Sequence, residues 1–147
     1  MTTMQSNMKP NKACPVLLRN KGGDLQILAF RHPLAGCQLV KGTIEADEAP
    51  DAAVLRELFE ESGIDSAGVV RHLGIWESGY KNQVWSLYLC EAGQLADEWT
   101  HHTPDGGGLD FSFFWHSLDD SPDAAWHPLY REALLWIKKA LASPKTD

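Results

Sequence analysis

Apolar positions in this chain follow two rhythms. Short runs with alternating or continuous apolar residues fall at 13 to 19 (Cys-Pro-Val-Leu-Leu-Arg from Cys14) and 25 to 31 (Leu-Gln-Ile-Leu-Ala-Phe-Arg), separated by Lys21-Gly22-Gly23-Asp24. That pattern predicts a β-hairpin. Cys37 to Val40 reads as a short strand, residues 68 to 78 and 83 to 91 as a second hairpin closing around Gly79-Tyr80-Lys81-Asn82, and Phe111 to Ser117 as a further strand. A helical period governs Tyr130 to Ala142, with Leu134, Leu135, Ile137 and Leu141 on one face. A second helix is predicted just after Pro50, because proline suits a first helical turn and Asp51 complements the dipole there. Gly63 stands where a left-handed C-terminal cap is expected. On that helix Ala52, Leu55, Leu58, Phe59 and Ser62 form the arc expected to pack on a core. Strands interleaved with two helices make an α/β chain with a mixed sheet and a helix on each face.

Composition narrows the picture. At 147 residues, 44% hydrophobic and 22% charged, the chain suits a single globular domain, expected over 13 to 142. Residues 1 to 12 and 143 to 147 are polar and expected to be disordered. A net charge of −7 argues against a protein that grips nucleic acid by phosphate neutralisation. Cys14, Cys37 and Cys90 are widely spaced with no C-x-x-C pair, which reads as reduced thiols of a cytoplasmic protein. No segment is long or apolar enough for a membrane helix. Nothing in the sequence decides between monomer and homodimer.

Candidate chemistry concentrates between residues 42 and 64. Glu57, Glu60 and Glu61 lie at i, i+3 and i+4, within about 100° of the helix circumference. Like charges so placed repel by a few tenths of a kcal/mol per pair. A divalent cation offsets that repulsion, and all-oxygen ligands select Mg²⁺ or Mn²⁺ over zinc. On composition alone the stripe is equally an ordinary solvated face. Arg56 is placed to pair with Glu60 or to reach Glu48. Gly42 allows a sharp turn that leaves a carbonyl near Lys41 facing a metal.

The whole segment resembles the Nudix hydrolase signature at every position: Gly42, Glu48, Arg56, Glu57, Leu58, Glu60, Glu61, Gly63 and Ile64. A chance match in a chain of this length is on the order of one in ten million. The resemblance implies an α/β/α sandwich and metal-dependent hydrolysis of a nucleoside diphosphate joined to another moiety, by water attack on phosphorus. It also implies metal ligation by Glu57, Glu60, Glu61 and the Lys41 carbonyl. It further implies a carboxylate as general base, for which Glu57 comes first; from a later loop the candidate bases are Glu98, His101 and His102.

Two details bear on the substrate, a small nucleoside polyphosphate. Val40-Lys41-Gly42 resembles the Pro-Lys-Gly of dinucleoside polyphosphate hydrolases of this family, and Tyr80 falls sixteen residues past Ile64, where such enzymes carry a tyrosine. Lys41, Tyr80 and Arg31 are therefore the candidate substrate contacts, Arg31 because a guanidinium clamps paired oxygens. Trp76, Trp85, Trp99 and Trp115 are candidates to stack a base, although Trp76 and Trp85 are also placed to pair across the second hairpin. Trp126 and Trp136 read as packing residues. Gly106-Gly107-Gly108 lacks the lysine and helix of a phosphate loop and reads as a turn. The rival functions are a Nudix module that senses a nucleotide without cutting it, and an enzyme acting on RNA 5′ ends; the acidic balance weighs against the latter.

Overall fold

The computed structural model describes residues 9–104 and 107–143. Eight strands and two helices follow one another as β1 (Lys12–Lys21), β2 (Asp24–His32), β3 (Gly36–Gln38), β4 (Gly42–Thr43), α1 (Pro50–Ser62), β5 (Gly68–Glu77), β6 (Val84–Glu91), β7 (Trp99–Thr103), β8 (Leu109–Ser117) and α2 (Pro128–Ala142). The sheet runs β5-β6-β1-β2-β8-β7, with β3 on β2 and β4 on β1. β1 is shared: from Lys12 to Leu17 it runs parallel to β6, and from Leu18 to Lys21 it pairs antiparallel with β2.

The period-2 pleat of these strands feeds two separate cores. Ala13 and Leu17 of β1 with Leu28 and Phe30 of β2 pack against Ala53, Val54 and Leu58 of α1. Cys14 and Val16 with Ile27 and Ala29 pack against Leu129, Tyr130, Ala133, Leu134 and Ile137 of α2. The result is the expected α/β mixed sheet with one helix on each face. Phe30 stacks on Phe111 at 4.2 Å, and burial of such a ring contributes about 1.5–3 kcal/mol.

The elements differ from the sequence expectation in three places. β7 lies where a loop is expected; its sequence Trp-Thr-His-His-Thr is too polar to read as a strand, yet it pairs with β8 from Trp99↔Phe113 to Thr103↔Leu109. β4 has only two residues, paired Lys12↔Thr43 and Ala13↔Gly42. Lys12 already belongs to β1, and Asn11 is tied to Val84 and Ile44 by backbone hydrogen bonds of 2.9 and 3.0 Å. Of the polar ends, 1–8 and 144–147 lie outside the described residues, as does Gly106. The three cysteines are buried free thiols, and no helix among the described residues is long and apolar enough to cross a membrane.

Candidate active site

Helix α1 begins at Pro50 after an extended Ala49 and ends at Gly63, which adopts the left-handed conformation (φ 81°) and donates its N–H to the Phe59 carbonyl at 2.8 Å. Its buried face consists of Ala53, Val54, Glu57, Leu58, Glu61 and Ser62. The arc expected from the sequence is therefore corrected. Leu58 and Ser62 do face inward, but Ala52 is exposed and Phe59 is 53% exposed. Glu57 and Glu61, each only 6% exposed, occupy the middle of the packed face.

Glu57 and Glu61 are hydrogen-bonded to each other. Out of water, two carboxyl groups side by side disfavour each other's ionised form. Burial pushes the Glu57 carboxyl above its usual range, while its bonds to Glu61 and Arg56 pull the other way. Gly42 provides the space. A Cβ built there would lie 1.9 Å from Glu57 Cδ and 2.0 Å from its Oε2. The role expected of Gly42, a sharp turn, is replaced by a close approach: its φ is not in the left-handed region, and any side chain would collide with the carboxylate.

Arg56 holds the rim of this pocket. It donates from Nε and Nη2 to both oxygens of Glu48 (2.7 and 2.8 Å), from Nη1 to Glu57 (2.9 Å) and Glu60 (3.1 Å), and from Nη2 to the Thr43 carbonyl (2.9 Å). The Arg56 fork, with the Glu45 N–H, lowers the Glu48 carboxyl to about 2. The three glutamates thus divide their attachments. Glu57 and Glu61 meet inside, whereas the Glu60 side chain, 36% exposed, turns to Arg56. Among the described residues no three His, Cys, Asp or Glu side chains stand ready as a closed cage. The donors are nonetheless all hard oxygens, and two carboxyl groups side by side out of water make a position that favours positive charge. This chemistry fits Mg²⁺ or Mn²⁺.

The residue before Gly42 points to the other face of the sheet. Lys41 Nζ donates to Gln83 Oε1 (3.1 Å) and lies 5.5 Å from the Trp85 ring and 5.8 Å from the Tyr130 ring. Burial and the nearby Lys12 and Lys81 lower its pKa to about 8. Tyr80 sits in the β5–β6 turn, where Lys81 and Asn82 both have positive φ (48° and 59°). Its ring meets His127 at 6.0 Å, and His127 in turn meets Tyr130 at 5.7 Å. Lys41 and Tyr80, distant in sequence, are therefore joined through α2. Gln83, Tyr130 and His127 belong to no motif, and only their positions in three dimensions reveal them.

Arg31 and Glu98 come together elsewhere. Arg31 stacks over Phe114 at 4.6 Å, and both residues line an open cleft with Arg19, Lys21, Asp97 and Trp115. His101 donates its Nε2–H to the Glu60 carbonyl (3.1 Å) and buttresses the end of α1, while His102 pairs with Asp110 at 2.7 Å. Trp76 and Trp85 are direct cross-strand partners, with rings edge to face at 5.0 Å. Trp85 is fully buried, so it cannot stack a ligand base. Trp99 anchors α1 through its indole N–H to the Ser62 carbonyl (2.9 Å), and Trp115 lies under Arg19 at 4.4 Å. Trp126 is a core residue, and Trp136 packs over Gly74.

Comparison with known proteins agrees with this layout. The NUDIX domain family pattern matches residues 9–137. Among solved structures, an ADP-ribose pyrophosphatase from Streptococcus suis 89-1591 is similar at 19% identity over 93% of this chain and 96% of its own, with a TM-score of 0.63. The C. elegans Ap4A hydrolase is similar at 22% identity over 92% and 98% of the two chains, TM-score 0.61. The NUDIX domain of Shewanella oneidensis NrtR, complexed with ADP ribose, is similar at 17% identity over 93% and 91%, TM-score 0.59. No curated protein matches the sequence.

Proposed function

Because this chain belongs to the NUDIX domain family and is a hydrolase of that family, we propose that it cleaves the diphosphate linkage of a nucleoside diphosphate derivative by water attack on phosphorus. The observation that carries this reading is the buried Glu57–Glu61 pair, opened to the Lys41-Gly42 backbone by the missing side chain of Gly42.

Glu57, Glu60, Glu61 and the Lys41 carbonyl would hold Mg²⁺, or Mn²⁺ in its place; the cation's contribution is to neutralise phosphate charge and acidify a water. The side chains have distinct tasks. Arg56 fixes Glu57 and Glu60 relative to Glu48, which holds those two carboxylates in place beside the proposed cation position. Glu57, whose carboxyl burial raises towards neutrality, is the proposed general base. Glu98 and Arg31 line a cleft apart from the Glu57–Glu61 pocket, so a role for Glu98 as base or Arg31 as phosphate contact would require the substrate to extend into that cleft. Lys41 and Tyr80 would receive the phosphate chain and its nucleoside on the α2 side.

The substrate proposed is a dinucleoside polyphosphate. Support comes from Val40-Lys41-Gly42, from the juxtaposition of Lys41 with Tyr80 through His127 and Tyr130, and from the likeness to an Ap4A hydrolase. The likeness to an ADP-ribose pyrophosphatase keeps ADP-ribose as the comparison substrate. The test is product analysis on a nucleotide panel with Mg²⁺, repeated with excess EDTA. Ap4A turnover abolished by EDTA supports the proposal, preferential cleavage of ADP-ribose reassigns the substrate, and saturable binding without turnover identifies a nucleotide sensor.

A further inference from the structure

Resting on that reading, we infer that Gln83 is a positioning residue that sets the Lys41 ammonium for the substrate's phosphate. A lysine side chain has four freely rotating bonds and a strongly hydrated head, so a lysine that must meet an anion in one place needs to be held. Two features hold this one. Its ammonium lies over two rings that are themselves out of solvent, Trp85 at 0% and Tyr130 at 4% exposure. Its ammonium donates to Gln83 Oε1 at 3.1 Å.

The same Gln83 oxygen accepts the Trp85 indole N–H at 3.0 Å. Both neighbours are obligate donors, so only the carbonyl end of the amide can face them, and the orientation of Gln83 has one solution. Its backbone is equally fixed. The Gln83 N–H donates to the Tyr80 carbonyl (2.9 Å), and its own carbonyl accepts from Ser78 N (3.2 Å) and Ser78 Oγ (2.8 Å). The next residue, Val84, is pinned by Asn11 Oδ1 at 3.0 Å. The chain from a rigid turn through a neutral amide to the ammonium adds no charge of its own, whereas a carboxylate in the same place would pair with the lysine. A neutral acceptor suits a cation reserved for an outside anion.

A double-mutant cycle tests this with Ap4A and Mg²⁺. Lys41→Met is expected to raise KM about tenfold or more. Gln83→Leu is expected to raise KM several-fold with kcat within about threefold of wild type, and the double variant to be no worse than Lys41→Met alone. An unchanged KM for Gln83→Leu beside a raised KM for Lys41→Met overturns the inference and leaves the function standing. Additive effects in the double variant overturn it too, by showing separate roles. An unchanged Lys41→Met removes Lys41 from the substrate site and Gln83 with it, while Ap4A turnover by the wild type still reports independently on the proposed reaction.

Discussion

Gly42→Ala separates the fold from the site more cleanly than any change to a glutamate. The backbone at Gly42 is not in the left-handed region, so alanine is conformationally acceptable there. The added methyl would fall 1.9 Å from Glu57 Cδ and 2.0 and 2.3 Å from its oxygens, all well inside contact distance. What must yield is the far end of a flexible side chain, not backbone. The carboxylate swings away and gives up its bonds to Glu61 and Arg56. It also leaves a position where burial opposed its charge, so the two effects offset and the net cost to stability is expected to be about 1–2 kcal/mol. The functional loss should be far larger. Displacing one ligand and the proposed base should lower kcat/KM by roughly 10²–10⁴-fold, or about 3–5 kcal/mol of transition-state stabilisation. Thermal melting by circular dichroism, Mn²⁺ titration calorimetry and Ap4A turnover read the three quantities separately. A folded Gly42→Ala protein with wild-type Mn²⁺ affinity and turnover would refute the argument, and so would one that fails to fold, since the clash would then not be confined to the carboxylate.

Glu61→Gln should reduce turnover by about 10³-fold or more while moving the melting temperature little, because an amide N–H keeps a hydrogen bond to the Glu57 carboxyl; steady-state kinetics and a melt check both halves. Phe59→Ala should cost only about 1 kcal/mol in urea denaturation, since more than half the ring is in solvent. A core phenylalanine would cost about 3–5 kcal/mol. Arg56→Ala removes five hydrogen bonds and leaves Glu57 buried beside Glu61 without its cation, so a loss of about 3 kcal/mol is expected by denaturant titration. The same variant should change the acid profile. The Glu48 carboxyl is held at about 2 in the fold against an ordinary value of 4.5, so the stability it adds is present above pH 4.5 and disappears as pH falls towards 2. In Arg56→Ala that stretch of the stability–pH curve should flatten.

The glutamate helix, its proline start and its glycine stop were legible because each is a local rule. The orientation of that helix was not. An amphipathic reading assigns apolar residues to the core and carboxylates to water, and it placed Phe59 inside and Glu57 and Glu61 outside. The fold reverses those assignments because the site requires carboxylates where packing alone would exclude them, and local rules give way at such positions. Gly42 shows the same limit: its spacing identified it, but the reason for it, the volume of the Glu57 carboxylate, exists only once α1 lies against β4. β7 escaped notice because an edge strand needs only backbone pairing on one side, so Thr100 and His102 can be polar without penalty. Gln83 carried no signal at all, since its role depends on a lysine forty-two positions away.

Because β1 takes part in both ladders, there is no seam along which the two halves of the sheet can pivot. Any opening around Lys41 must therefore come from the Gly79–Gln83 turn and the segment between β8 and α2, with the strands as a fixed frame. Amide protons of Val16 and Leu17 should accordingly be among the slowest to exchange with deuterium, and ligand binding should leave their rates untouched while slowing those of the turn.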